Sequence, residues 1–469
     1  MKSPDRLLWF AVTTTLAIRL ALLLLPSTPL TTRTLEPIAD APEYVQLARN
    51  LTHHRLFSLD SRPPFRPDIF RTPGYPLFLA IPFTLFGPSL FWPILLQLLI
   101  SVATAWLTWQ LTRELHLTPE AGVLATFLVA ASPNLAFLAT KLVTETLFTF
   151  LLIASLLLLN RFLTLRHWPS LIACGITLGL LILTRPIATY FPLVIALFLT
   201  LFLRERRAGA LSAPLVLLAA TTVVVAPWII RNGHKTSRFI ISTVQEHNSY
   251  LYSGALVFAA DKGIGLNEAR DSMMAEAQAR YGPLDSTDEA SFWAALGRVG
   301  WRHTLAKPLL ALKIHVAGSA ASLLMPVSIR PLLVTFGADP TQAFETHVAQ
   351  KFIGLIARGR ITSALSLAWQ ERLAQMPKMA LVILILATVF NTGLLLLALF
   401  GIILRRNRPL LWLLLPVGYF ILVSGPVGEA RFRAPVEPLL AIYAAAGVIA
   451  LRRSANPWQP EKLSAAIRD

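Results

Sequence analysis

Long stretches of Leu, Ile, Val, Phe and Ala alternate along the chain with short polar segments. Runs such as 147–159 and 381–404 carry almost no polar side chain, approaching the roughly 20 residues a helix needs to cross hydrocarbon. Lipid offers no partner for a free amide, so the backbone in these runs is predicted to be helical. By length and apolarity, ten spans are expected, near 7–25, 90–111, 120–140, 142–160, 169–184, 186–203, 210–230, 377–404, 409–424 and 438–451. Two long connections, 26–89 and 232–376, interrupt them, and no internal repeat or low-complexity stretch is present. The predicted fold is all-α, a polytopic transmembrane bundle. Region 1–325 carries the first connection, 326–376 is a further connection, and 377–469 holds the last helices and a tail. Segment 308–326 is apolar enough for another span, but a crossing there would invert every later loop unless the chain crossed back between 329 and 375. The sequence leaves open whether it is embedded or spans the membrane.

Composition sharpens this picture. The 469 residues are 55% hydrophobic and 14% charged, with mean hydropathy +0.60, too apolar for an ordinary soluble domain. The net charge of +17 does not point to nucleic acid, because the basic residues are not gathered with aromatics into one patch. Instead Lys2 and Arg6, Arg113, Arg161 and Arg166, Arg204, Arg206 and Arg207, Arg405, Arg406 and Arg408, and Arg452 and Arg453 fall in alternate loops. That is the positive-inside pattern, suited also to anionic membrane lipid. It predicts a multi-pass protein of the cell inner (plasma) membrane with both termini cytoplasmic and both long connections outside. The apolar stretch 7–25 is followed by Pro26, Ser27, Thr28 and Pro29 rather than a small-x-small site, so a retained helix is expected and not a cleaved signal. The only cysteine, Cys174, lies in an apolar run, which excludes a disulfide framework.

A second set of ionisable residues maps to the opposite helix ends: Asp40, Glu43, Arg71, Lys141, Glu145, Arg185, Arg231, Arg431, Arg433 and Glu437. Charges beside hydrocarbon cost a few kcal/mol each, which makes such a set a candidate site facing a wet cavity. Solvated outer loops would also carry charge, but Glu145 and Arg185 are closely flanked by apolar helix on both sides. After Asp40, residues Tyr44, Leu47, Ala48 and Leu51 recur at helical spacing and predict an amphipathic surface helix. Asp40 stands at its N-cap, and capping alone accounts for an Asp there. Arg71 lies in Phe70-Arg71-Thr72-Pro73-Gly74-Tyr75-Pro76, a stiff non-helical frame that suits bidentate phosphate binding. A snorkelling Arg with Tyr75 in an aromatic belt is the alternative.

These residues form an ordered series: Asp40-x-x-x-Tyr44-x-x-x-Ala48-x-x-Leu51, Arg71-x-Pro73-Gly74-Tyr75-Pro76, Thr144-Glu145, Thr184-Arg185-Pro186, Pro227-Trp228-x-x-Arg231-Asn232 and Arg431-Phe-Arg433-x-Pro435-x-x-Pro438. Over about residues 5–450 the series resembles the GT-C glycosyltransferases, most closely the bacterial branch of the protein mannosyltransferase and aminoarabinose transferase group. The resemblance implies a membrane enzyme that moves a sugar from a polyprenyl-phosphate donor to an extracytoplasmic hydroxyl on a glycan, lipid or protein, with inversion. It implies Asp40 as catalytic base and Arg71 as a ligand of the donor phosphate, with Arg185, Arg231, Arg431 and Arg433 as further candidates. Glu43, Tyr44, Tyr75 and Glu145 are expected in support, and Trp293 and Trp301 as candidates to stack on sugar. Many relatives carry a second acid directly after the Asp; here Ala41 stands there and Glu43 follows. No cofactor is expected. The histidines lack helical zinc spacing, and a divalent ion between Asp40 and Glu43 is left open. The rival class is a lipid flippase or secondary transporter, which would show related halves and broken helices at mid-membrane. Here the candidate charges gather at one face and the halves look unlike.

Overall fold

The structure, a computed structural model, describes residues 4–23, 40–204, 211–328, 332, 351, 354–356, 358–368, 370, 376–404 and 408–455. Outside the described residues lie 24–39 of the first connection, Lys2, Arg206, Arg207, Arg405, Arg406 and most of the expected connection 326–376. The regular elements among the described residues are all helices, without a strand. The helices are α1 (Pro4–Leu23), α2 (Ala41–His54), α3 (Gly74–Phe86), α4 (Phe91–Glu114), α5 (Pro119–Ala131), α6 (Pro133–Ala139), α7 (Glu145–Leu165), α8 (Trp168–Thr184), α9 (Phe191–Leu203) and α10 (Ser212–Thr236). There follow α11 (Val244–Asn248), α12 (Ala255–Lys262), α13 (Leu266–Tyr281), α14 (Glu289–Ala306), α15 (Pro308–Leu324), α16 (Ile361–Ala368), α17 (Lys378–Leu404), α18 (Arg408–Leu411), α19 (Leu414–Ser424) and α20 (Glu437–Ala455).

Among the described residues, seven helical segments are long and apolar enough to cross a membrane, eight if the pair α5 and α6 counts as one. The other two predicted spans are the shorter apolar helices α8 and α19. The first connection holds more than the expected surface helix. Its α3 is an apolar helix of 13 residues, too short to register as a span and therefore left inside the loop by the length criterion.

The span predicted at 120–140 is bent by 58° between α5 and α6. Pro133 has no N–H and disfavours helix at Ser132, whose ψ is 115°. The new helix is restarted by the Ser132 hydroxyl, which accepts from Leu135 N at 3.2 Å. The carbonyls orphaned at the end of α5 are taken by Arg19, fully buried toward the C-terminal end of α1. Its Nη2 donates to Val129 O at 3.1 Å and its Nη1 to Ala130 O.

Close helix pairs use small residues. A Cβ on Gly175 would come within 2.6 Å of Ala220 Cβ, and one on Gly179 within 2.6 Å of Val224 Cβ, so α8 and α10 touch along this stripe. Gly401 and Gly447 do the same for α17 and α20. Segment 308–326 forms α15, which packs against α19 and the turn at Gly425–Val427. The carbonyls of its C-terminal end are held by Arg433, whose Nη1 donates to Leu323 O at 2.8 Å and whose Nη2 donates to Pro326 O at 3.0 Å.

Helices α11 to α14 gather around a second core that includes Tyr250, Leu256, Met273, Leu296 and Val299. Between α11 and α12 the chain forms a π-helical turn, Ser249–Gly254. Glycines let this turn and α11 approach α14 closely: a Cβ on Gly254 in the turn would lie 2.5 Å from Gly300 Cα, and one on Gly297 would lie 2.7 Å from Cβ of Glu246 in α11.

Candidate functional site

Three stretches far apart in sequence meet at one end of the bundle. Asp40 precedes the first turn of α2, which Pro42 starts with its fixed φ. Although Asp40 stands at the N-cap, its side chain makes no capping bond. Its Oδ1 accepts from Arg71 Nη2 at 3.0 Å and its Oδ2 from Arg431 Nη2 at 2.7 Å. The carboxylate thus bridges two guanidiniums and is not spent on the helix. Burial alone would raise its pKa; the charges of Arg431 and Arg71 outweigh that and hold it well below the usual carboxylate range.

The network extends from each arginine. Arg71 Nε donates to Glu43 Oε2 at 2.6 Å, and its guanidinium lies 4.6 Å from the ring centre of Phe70 and 5.1 Å from that of Tyr44. Arg431 Nε donates to Glu145 Oε1 at 2.6 Å, and the same oxygen accepts from Arg185 Nη1 at 2.7 Å. Glu145 is almost fully buried in the first turn of α7, where a carboxylate is favoured by the helix dipole. Three cations (Arg71, Arg185, Arg431) face three carboxylates (Asp40, Glu43, Glu145). The cluster is therefore formally neutral.

Backbone placement explains why they meet. A Cβ on Gly74 would lie 2.7 Å from Leu183 O, so only glycine lets the start of α3 seat on the end of α8 beside Arg185. Asp68 accepts the Arg71 N–H at 2.9 Å, and burial pushes its carboxyl up to about 6, against the downward pull of that bond. Tyr75, T-shaped to Tyr44 at 5.0 Å, donates to Gln97 Oε1 at 2.7 Å, and Gln97 in turn donates to Ala139 O at 2.9 Å.

Of the residues singled out in the sequence, Asp40, Glu43, Tyr44, Arg71, Glu145, Arg185 and Arg431 come together here. Arg231 and Arg433 have other partners. Arg231 Nη1 donates to Asp68 O at 2.6 Å and its Nη2 to Phe57 O at 3.2 Å, binding the first connection to α10. Arg433 is buried against Glu437, 2.9 Å from its Nε, and the end of α15. Among the described residues, no group of three or more His, Cys, Asp or Glu gathers as a metal site. Trp293 packs on His247 with ring centres 4.6 Å apart, whereas Trp301 is exposed.

Sequence reasoning missed Asp68, His247 and Tyr252. Burial lowers His247 to about 4 and raises the Tyr252 hydroxyl, and both feel Asp40. Only Asp68 had a local signal, a carboxylate three residues before the arginine whose N–H it accepts. His247 reaches the site from α11 and Tyr252 from the π turn that follows it, a placement no spacing rule reveals.

Several solved structures are similar to this chain. The oligosaccharyltransferase of Archaeoglobus fulgidus in the apo form is similar over 99% of this chain and 52% of its own, at 18% identity and TM-score 0.52. Archaeal oligosaccharyltransferase AglB from the same organism, in complex with an inhibitory peptide and a dolichol-phosphate, gives 17% identity over 99% of this chain and 52% of its own, with TM-score 0.50. ArnT from Cupriavidus metallidurans bound to undecaprenyl phosphate is 14% identical over 93% of this chain and 77% of its own, with TM-score 0.43. The protein thus shares the all-helical fold of the archaeal oligosaccharyltransferase structures, and it spans about half the length (52%) of those proteins. Within it, residues 70–230 match the family described as dolichyl-phosphate-mannose-protein mannosyltransferase. None of the curated proteins matches the chain in sequence. The resemblance carried by the motifs is therefore met both by the family match over this segment and by the fold.

Proposed function

We propose that the protein is a membrane glycosyltransferase. It moves a sugar from a polyprenyl-phosphate carrier to an acceptor hydroxyl on the extracytoplasmic face, with Asp40 as general base. The observation that carries this is the Asp40 carboxylate bridging Arg71 at 3.0 Å and Arg431 at 2.7 Å, which supports the reading of a base set between two phosphate-binding cations. The family match and the dolichol-phosphate complex of the archaeal protein with the same fold support a lipid-phosphate donor.

The donor phosphate enters a neutral cluster, so it competes with Asp40, Glu43 and Glu145 for guanidinium N–H groups. As Arg71, Arg431 and Arg185 turn toward it, Asp40 loses hydrogen bonds and becomes a stronger base. The acceptor hydroxyl gives its proton to Asp40 while its oxygen attacks the anomeric carbon from the face opposite the phosphate. The C–O bond to the phosphate breaks, its electron pair leaves on the polyprenyl phosphate, and the anomeric centre inverts. Alignment and charge neutralisation by the arginines supply most of the acceleration.

The test is transfer by the full chain in liposomes from radiolabelled polyprenyl-phosphate sugars to extracted membrane lipids and proteins. Label appearing in a new conjugate is expected. Movement of the donor between leaflets without any new conjugate would instead identify a flippase. In a Cys174→Ser background, Ser61→Cys in the exposed part of the first connection should react with an impermeant maleimide from outside. Labelling only after permeabilisation would refute the outward-facing site.

A further inference from the structure

Beside the ionic cluster lies an aromatic surface that the proposed chemistry leaves unused. Phe70 packs against the Arg71 guanidinium, His247 lies 4.9 Å from Phe70, and Trp293 lies 4.6 Å from His247, all between ring centres. All three rings are partly exposed. Their placement is over-determined. Ser242 Oγ donates to Phe70 O at 2.5 Å, and Thr243 N donates to Ile69 O at 3.2 Å, which ties the Arg71 segment to the residues leading into α11. On α14, Trp293, Gly297 and Gly300 share one face at helical spacing; Gly300 admits the π turn that follows His247, and Gly297 admits α11 at Glu246. Single π turns are frequent at functional sites, and this one is seated by two glycines, Gly254 and Gly300. Tyr252, 6.5 Å from His247, completes the rim toward Arg431.

We infer that Phe70, His247 and Trp293 form a saccharide shelf, on which the pyranose ring of the donor stacks beside the guanidinium of Arg71. Pyranoses present an apolar C–H face to aromatic rings and a polar edge of hydroxyls. The shelf supplies the rings, and His247, held neutral by burial with a pKa near 4, supplies an uncharged hydrogen-bonding edge. The shelf begins at the residue next to Arg71, so a sugar bonded directly to a phosphate on Arg71 reaches Phe70 and His247 without a spacer. This assignment rests on the transferase function proposed above and concerns the sugar half of its donor.

The test measures equilibrium binding to the full chain in nanodiscs. The probes are radiolabelled undecaprenyl phosphate, bare or carrying mannose or glucose, and the variants are Trp293→Ala, Trp293→Phe and His247→Asn. Wild type should bind one of the sugar-bearing lipids about tenfold more tightly than the bare lipid, the size of one good aromatic contact. Trp293→Ala and His247→Asn should lose most of that preference while binding bare lipid as wild type does, which also reports that they fold. Trp293→Phe should keep it. No sugar preference in wild type, or an undiminished preference in both variants, overturns the shelf. So does unchanged donor binding with a raised KM for acceptor, which would assign the rings to the acceptor. Wild type that binds no polyprenyl phosphate at all would instead sink the transferase reading itself.

Discussion

Replacing Asp40 by Asn should separate binding from chemistry. The side chain keeps its shape, but the cluster changes from three cations against three carboxylates to three against two. A phosphate placed about 5 Å from position 40 no longer meets that negative charge, which at an effective dielectric constant of about 20 is worth up to about 3 kcal/mol. With rearrangement of the guanidiniums, about 1–2 kcal/mol should remain, a roughly 5- to 30-fold tightening for bare polyprenyl phosphate. The rate moves the other way. Without a base the transfer step should fall by about 10²- to 10⁴-fold. Equilibrium binding of radiolabelled undecaprenyl phosphate in nanodiscs and single-turnover transfer read the two effects separately. Weaker lipid binding in Asp40→Asn would show that Asp40 organises the arginines more than it competes with phosphate. Transfer within threefold of wild type would remove it as the base.

Three further outcomes follow from the same geometry. Arg431→Gln leaves Asp40 and Glu145 without a shared cation, so it should cost about 3–5 kcal/mol of stability; adding Glu145→Gln should restore part of the melting temperature and none of the transfer, and additive losses would argue against their coupling. Asp68 titrates near 6 in the folded protein, above its ordinary 3.8; it is therefore buried without electrostatic cost below pH 4 and costs about 3 kcal/mol once pH passes 6. Asp68→Asn should then match wild type at pH 4 and melt higher at pH 8, a difference absent if the carboxyl titrates normally. Gly254→Ala puts a Cβ 2.5 Å from Gly300 Cα, which should lower stability by about 1–3 kcal/mol and erase sugar preference at temperatures where the protein is still folded; thermal unfolding together with the lipid-binding assay checks both.

The sequence by itself determined the helical membrane class. Bilayer thickness and the need to satisfy every amide leave one structure for apolar runs as long as 381–404. It also marked Asp40, Arg71, Glu145, Arg185 and Arg431, because charges set against hydrocarbon stand out in one dimension. Only the tertiary structure decided their roles. An arginine at a helix end looks the same in sequence whether its guanidinium meets a carboxylate or a backbone carbonyl. Arg431 reaches Asp40 across 391 positions, whereas Arg433, two residues on, is drawn to Glu437 and the carbonyls that close α15. The length criterion passed over α3, and the π turn before α12 was equally hidden, whereas the break at Ser132 had a local signal in Pro133. The turn depends on α14 offering Gly300 against it, and the carbonyls freed at the break on α1 offering Arg19, which are properties of packing and not of any local run of residues.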